Sequence, residues 1–224
     1  MLKAIIFDMD GVLIDSEPIH LKAHEMLMND LNLPYSEKYY SQFIGSTTKN
    51  MWNILTKDFD LQYSHSELME KSNKFVGEIL NGKPYPPVKY GADMIKRLKS
   101  EGILLGLATS SNVYRMTECM KNMGVYEDFD VLICSDANFR PKPAPDIFLK
   151  TAEKLKVLPS ECIVVEDSIN GMNAAKNAGM LCVRYENPLL DENAFDEAYK
   201  EYTIKSFENI DLKYFTDVFD KHNN

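Results

Sequence analysis

Two rhythms of apolar and polar positions divide this chain. At its start, Ala4-Ile5-Ile6-Phe7 is a short apolar run that reads as a buried strand, broken at once by the turn signal Asp10-Gly11. From Lys89 onward, strand-like runs alternate with segments of helical spacing. Gly91–Lys99 carries Ala92, Ile95 and Leu98 on one face before Gly102, and Ile103–Ala108 is a strand. A helix over Val113–Met123 stops at Gly124, a strand follows at Val131–Cys134, and Asp146–Leu155 is a helix with Phe148, Ala152 and Leu155 together. Then come the strand Cys162–Val165, the helix Ile169–Ala178 closed by Gly179, and the strand Leu181–Arg184. Such alternation predicts an α/β fold, a doubly wound parallel sheet with helices on both faces. In the tail, Tyr202–Ile204 reads as a short strand and Lys213–Lys221 as a closing helix.

Between the first strand and this series the rhythm is purely helical. Helices are expected over Ile19–Leu31, Glu37–Phe43, Lys49–Thr56 and Glu67–Ile79, the last opened by the capping box Ser64-His65-Ser66-Glu67. A helical block placed there is an inserted cap. One connection falls near Ile14–Glu17 and the other at Asn81–Val88, where Gly82, Pro84, Pro86 and Pro87 cluster. The expected division is therefore a core of residues 1–15 and 82–224 with a helical cap over 16–81. Trp52 and the cap methionines, at helical spacing, are expected in its core.

Bulk properties narrow the classes of function. With 45% apolar and 26% charged residues, the 224-residue chain can bury a core. A net charge of −9 and a pI near 5.0 argue against nucleic acid, whose phosphates demand a basic footprint. Cys119, Cys134, Cys162 and Cys182 show no paired spacing and read as reduced thiols, in keeping with a cytoplasmic protein. The apolar stretch before Asp8 is too short for a signal peptide, and no run approaches membrane-spanning length. A monomer with no membrane partner is expected.

Polar residues that follow the strand-like runs carry the chemistry. Asp8 and Asp10 follow Ala4–Phe7, Thr109-Ser110-Ser111-Asn112 follow Leu104–Ala108, and Glu166-Asp167 follow Cys162–Val165. A parallel sheet brings the carboxyl ends of its strands to one edge, so these groups are expected to share a crevice. The loop Arg140-Pro141-Lys142-Pro143-Ala144-Pro145-Asp146 adds a lysine in a proline-stiffened backbone. Taken singly, Thr109–Asn112 and Glu166–Ser168 read equally as helix caps, and Lys142 as a solvated lysine. Together they supply what phosphoryl transfer needs: a carboxylate nucleophile, hard oxygen ligands for Mg²⁺, a hydroxyl and a cation for the phosphoryl oxygens.

The four elements Asp8-Met9-Asp10-Gly11, Thr109, Lys142 and Glu166-Asp167 resemble the motifs of the haloacid dehalogenase-like hydrolase superfamily. The stretches Asp8–Pro18, Lys142–Phe148 and Val165–Gly171 are similar to its β-phosphoglucomutase-like branch, and the likeness runs from Lys3 to about Arg184. The resemblance implies a Rossmann-like core with a helical cap inserted after the first strand. It makes Asp8 the nucleophile and Asp10 the general acid/base. It assigns Mg²⁺ to Asp8, the Asp10 carbonyl, Asp167 and Glu166, and phosphoryl binding to Thr109 and Lys142. Ser110, Ser111 and Asn112 would line the substrate side, with His20, Gly45, Ser46, Lys49 and Lys71 contributed by the cap. His20 and His24 lie four apart on one helix, which also fits a metal pair lacking a third ligand. Where β-phosphoglucomutases carry a phosphate-gripping arginine, this chain has Thr47-Thr48-Lys49.

The leading expectation is a Mg²⁺-dependent phosphatase for a small phosphorylated metabolite, a sugar phosphate above all. The alternative is a β-phosphoglucomutase interconverting β-glucose 1-phosphate and glucose 6-phosphate. A dehalogenase is disfavoured by Asp10, and a signalling receiver module by the helical insertion and by that same second aspartate.

Overall fold

The computed structural model describes residues 1–41, 43, 48–134, 139–190 and 197–223. Their elements run in the order β1 (Ala4–Phe7), α1 (Glu17–Asp30), α2 (Glu37–Ser41), α3 (Thr48–Asp58), α4 (His65–Leu80), α5 (Gly91–Ser100), β2 (Leu104–Ala108), α6 (Val113–Met123), β3 (Val131–Ile133), α7 (Asp146–Leu155), β4 (Cys162–Glu166), α8 (Ile169–Asn177), β5 (Leu181–Tyr185), α9 (Glu197–Lys200), β6 (Thr203–Ile204) and α10 (Leu212–Asn223). No described helix is long and apolar enough to cross a membrane.

All six strands pair in parallel, in the order β3-β2-β1-β4-β5-β6. The chain builds outward from β1 to β3 on one side, then returns to place β4 on the other, so the order reverses at β1. Such a reversal opens a crevice at the carboxyl ends of the strands. Every residue of β1 is buried, which explains why the strand reads as an unbroken apolar run instead of an alternating one. Ile6 faces a core formed with Val164, Ala108, Phe148 and Leu155 of α7, and Ala174 and Ala175 of α8. Phe7, on the opposite face, meets Phe215 of α10 edge-on at 6.4 Å. Gly106 lets α7 descend onto β2, since a Cβ there would stand 2.6 Å from Thr151 Cγ2.

The chain divides into two compact units, residues 1–15 with 86–224, and residues 16–85. Within the first unit the two connections run side by side: Asp15 N donates to Pro86 O at 2.9 Å and Val88 N to Leu13 O at 2.8 Å. The second boundary falls four residues beyond the expected 81/82 (at 85/86) because Tyr85 packs on Ile19, Ala23 and Val76 of the helical unit. Its last helix, α4, opens with the expected capping box, Ser64 N donating to Glu67 Oε2 at 2.8 Å and Ser64 Oγ accepting from Glu67 N. Its core gathers Leu27, Met28, Tyr40, Trp52, Leu55 and Leu68.

His24 belongs to this core. Its ring stacks on Tyr40 at 4.8 Å and meets Trp52 edge-on at 6.0 Å, and among the described residues no metal-holding cluster of three or more His, Cys, Asp and Glu forms. Burial, with a contribution from His20, pushes its pKa down to about 3. The folded imidazole therefore stays neutral where the unfolded one, with its ordinary value near 6.5, takes up a proton. Stability from this group is complete above about pH 6.5 and is lost as the pH falls toward 3. Between pH 7 and 5 the unit is expected to lose about 2 kcal/mol through His24, a loss absent in His24→Gln. Urea unfolding followed by the fluorescence of Trp52, the only tryptophan, isolates this unit. Equal pH dependence in the two proteins would contradict the assignment.

Candidate active site

Asp8 extends the β1–β4 ladder by one rung, its N–H donating to Val165 O at 3.0 Å. The chain then turns sharply, with Gly11 at φ +78° and its N–H donating to Ile14 O at 2.9 Å. A side chain could not be placed there: a Cβ on Gly11 would stand 2.0 Å from Asp167 Oδ2. The turn from β1 and the end of β4 thus meet at van der Waals distance, and only glycine leaves the Asp167 carboxylate its place.

Lys142 joins the strand ends. Its buried Nζ donates to Asp8 Oδ1 at 2.6 Å, Glu166 Oε1 at 2.8 Å and the Ala108 carbonyl at 3.3 Å, and stands 4.8 Å over the Phe148 ring. An ammonium has three donors, and each has an acceptor from a different strand terminus. The loop that carries it is tied at both ends. Arg140 clasps Asp146 through Nε and Nη2, and Asn177 Nδ2 donates to Pro143 O at 2.9 Å. Lys142 is therefore no solvated surface lysine.

Glu166 uses both oxygens. Oε1 accepts from Lys142, while Oε2 accepts from Ser168 N at 2.8 Å and Ser168 Oγ at 3.0 Å. Ser168 also caps α8, accepting from Gly171 N at 3.1 Å, and a Cβ on Gly171 would lie 1.6 Å from Glu166 Oε1. The cap reading of this stretch holds, and the capping serine also sets the Glu166 carboxylate. Asp167 Oδ2 accepts from the buried Asn187 Nδ2 at 2.7 Å.

From the end of β2, buried Thr109 accepts Ser111 N on its Oγ1 at 3.0 Å. Ser111 Oγ donates to Asp10 Oδ2 at 2.8 Å, and Arg115 Nη2 donates to Asp10 Oδ1. Asn112 caps α6, its Oδ1 accepting from Arg115 N at 2.9 Å, and Ser110 is exposed. Lys71 and His20 lie in the helical unit, where Lys71 pairs with Asp30 at 2.8 Å and His20 rests against Tyr85 at 5.8 Å. Lys49 stands in the first turn of α3, and Gly45 and Ser46 lie outside the described residues.

Three participants escaped the sequence reading. Arg115 had a signal: a cation in the first turn of a helix stands against the helix dipole and calls for an anionic partner. Asn187 follows β5 as the other site residues follow their strands, the same logic carried one strand further. Ser168 reads in the sequence as a cap alone.

Electrostatics follow from the contacts. Burial, opposed by the Lys142 ammonium and reinforced by the Glu166 carboxylate, pushes the Asp8 carboxyl up to about 7. Burial also works against the charge on Lys142, but Asp8 and Glu166 outweigh it and hold the ammonium above the usual lysine range. Asp8 and Glu166 set two carboxylates against one ammonium, with Asp167 directly after Glu166 at the end of β4. That surplus of hard oxygen donors fits Mg²⁺, which takes one or two carboxylates and completes its shell with water and phosphate, so no preformed cage is required. Asp8, Asp167 and the Asp10 carbonyl suit that ion better than Glu166, whose oxygens are taken by Lys142 and Ser168.

Residues 5–185 match the sequence pattern of the haloacid dehalogenase-like hydrolase family. A phosphorylated carbohydrates phosphatase of Thermotoga maritima is 32% identical over 183 residues, covering 80% of this chain and 82% of its own. A β-phosphoglucomutase of Bacillus subtilis is 29% identical over 188 residues, covering 81% and 82%. Among solved structures, a family IA, variant 3 hydrolase of this type from Entamoeba histolytica superimposes with a TM-score of 0.82 at 26% identity, over 98% of this chain and 100% of that one. The chain belongs to the haloacid dehalogenase-like hydrolase family. It is an enzyme of the family's phosphatase and phosphotransferase kind.

Removing one partner from a buried ionic cluster leaves the others uncompensated, at a cost of about 3–5 kcal/mol. Lys142→Met is expected to lower the urea midpoint of the 1–15/86–224 unit by a corresponding amount. Adding Glu166→Gln should recover part of that loss, because one stranded charge is then gone. A double variant no more stable than Lys142→Met would show that the cluster is not the cause.

Proposed function

We propose that the enzyme is a Mg²⁺-dependent phosphatase that acts on a small phosphorylated metabolite, a sugar phosphate in particular, through an aspartyl-phosphate. The observation that carries this reading is the buried contact of Lys142 with Asp8 at 2.6 Å and Glu166 at 2.8 Å, at the carboxyl edge of the central strand. The ammonium holds Asp8 Oδ1, which leaves Oδ2 to attack phosphorus in line. As the new oxygen–phosphorus bond forms, the ester bond breaks and Asp10 supplies the leaving oxygen with a proton. Water then attacks the phosphorus, Asp10 takes its proton, and the bond to Asp8 breaks to release phosphate.

Lys142, giving up its long 3.3 Å contact with the Ala108 carbonyl, and the Thr109 hydroxyl would hold phosphoryl oxygens through both steps. Asp8, Asp167 and the Asp10 carbonyl would hold the metal, which when bound offsets the negative charge of phosphate and carboxylates. Glu166 serves by orienting Lys142. On the substrate side we place Ser110, Ser111 and the amide of Asn112, with His20, Gly45, Ser46, Lys49 and Lys71 of the helical segment choosing the substrate. The sugar class rests on the Thermotoga relative, whose name specifies phosphorylated carbohydrates.

Asp8→Asn cannot form the acyl phosphate and is expected to release no phosphate from 4-nitrophenyl phosphate or from a panel of sugar phosphates. Excess chelator should silence the unmodified enzyme and Mg²⁺ should restore it. Clear turnover by Asp8→Asn, or full activity in chelator, would overturn the reading. The panel includes β-glucose 1-phosphate with a bisphosphate primer. Primed isomerisation faster than phosphate release would assign the enzyme to the mutases, as the Bacillus relative is named.

A further inference from the structure

Asp10, Ser111 and Arg115 form a closed ring of polar contacts. Ser111 Oγ donates to Asp10 Oδ2 at 2.8 Å, Arg115 Nη2 donates to Asp10 Oδ1, and Arg115 Nη1 donates to Ser111 Oγ at 3.2 Å. A carboxylate turns easily about its last torsion, which has broad wells. Here each oxygen is held by a separate donor, so the plane of the carboxylate is set. The side chains of Asp10 and Arg115 remain about one quarter exposed, 24% and 23%, so water reaches the pair. Arg115 is itself anchored, its N–H bound to the Asn112 cap at 2.9 Å. It stands in the first turn of α6, an unfavourable place for a cation unless an anion faces it.

We propose that Arg115 is a positioning residue for the hydrolytic half of the reaction: with Ser111 it holds the Asp10 carboxylate ready to take the proton of the attacking water. This inference rests on the phosphatase reading. In the step concerned, the water oxygen bonds to phosphorus, its proton passes to Asp10, and the phosphorus–oxygen bond to Asp8 breaks. Arg115 forms no bond to reacting atoms. It fixes the direction of the base, and misdirection of a catalytic group is costly even when the group is still present.

4-Nitrophenyl phosphate separates the two halves, because 4-nitrophenolate leaves without a proton while water still needs a base. In rapid mixing, Arg115→Met is expected to release about one equivalent of 4-nitrophenolate in a burst, as phosphoenzyme accumulates. Steady turnover should then run about 10- to 100-fold below that of the unmodified enzyme. Arg115→Lys keeps the charge and should restore much of the steady rate. Ser111→Ala, which opens the same ring, should show the burst as well and decides the matter if Arg115→Met does not fold. Slowing of burst and steady phases together, or unaltered turnover in Arg115→Met, would overturn the proposal. Asp8→Asn is the separate control: if it retains the burst, the aspartyl-phosphate reading fails whatever Arg115 does.

Discussion

An ammonium group buried between two carboxylates organises this protein. Asp8, Glu166 and the Ala108 carbonyl end three neighbouring strands, and their negative charge and unfilled acceptors would repel one another in a dry interior. Lys142 makes that arrangement tolerable, and it comes from the loop after a fourth strand, held down by Arg140–Asp146 and Asn177. The order of the sheet is what allows this. Because β1 is central and the chain reverses around it, the ends of β1, β2 and β4 lie at one level, as the pairings of Phe7 with Leu107 and Val165 require. The lysine that neutralises Asp8 also fixes the direction of its carboxylate, so charge balance and geometry draw on the same contacts.

Around this cluster the backbone is shaped for clearance. Gly11 and Gly171 stand where any side chain would collide with Asp167 and Glu166. Ser168 caps α8 and braces Glu166 with one hydroxyl, so the helix start and the strand end are a single construction. Thr109 and Ser111 repeat the device at the end of β2, where a short turn feeds the Asn112 cap of α6 while Ser111 reaches Asp10. The polar residues after each strand therefore do two things at once, which is why a capping reading and a chemical reading of the same letters compete.

Most of the core architecture was legible in the pattern of the chain. Strands buried on both faces appear as unbroken apolar runs, and helices over Val113–Met123 and Asp146–Leu155 fall where their periodicity and stop signals put them. Boundaries moved where tertiary contacts extend an element: β4 runs on to Glu166 and β5 to Tyr185 because their partners continue the ladder. The end of the helical unit shifted for a similar reason, as nothing local marks Tyr85 as a packing residue. Lys71 pairs with Asp30 across 41 positions of sequence, a partnership that no local rule reveals.

What the sequence determined by itself is periodicity, punctuation and the inventory of chemical groups, because these depend on residues a few positions apart. It was enough to define the parallel sheet and the helical insertion, and to put Asp8, Thr109 and Asp167 directly after their strands. Only the tertiary structure decided the partnerships: Glu166 with Lys142, Asn187 with Asp167, and Arg115 with Asp10 across 105 positions. The reason is physical. A charge finds its partner through space, after strands have been ordered and helices laid down, and the distance along the chain between two such groups carries no trace of the distance that remains between them once folded.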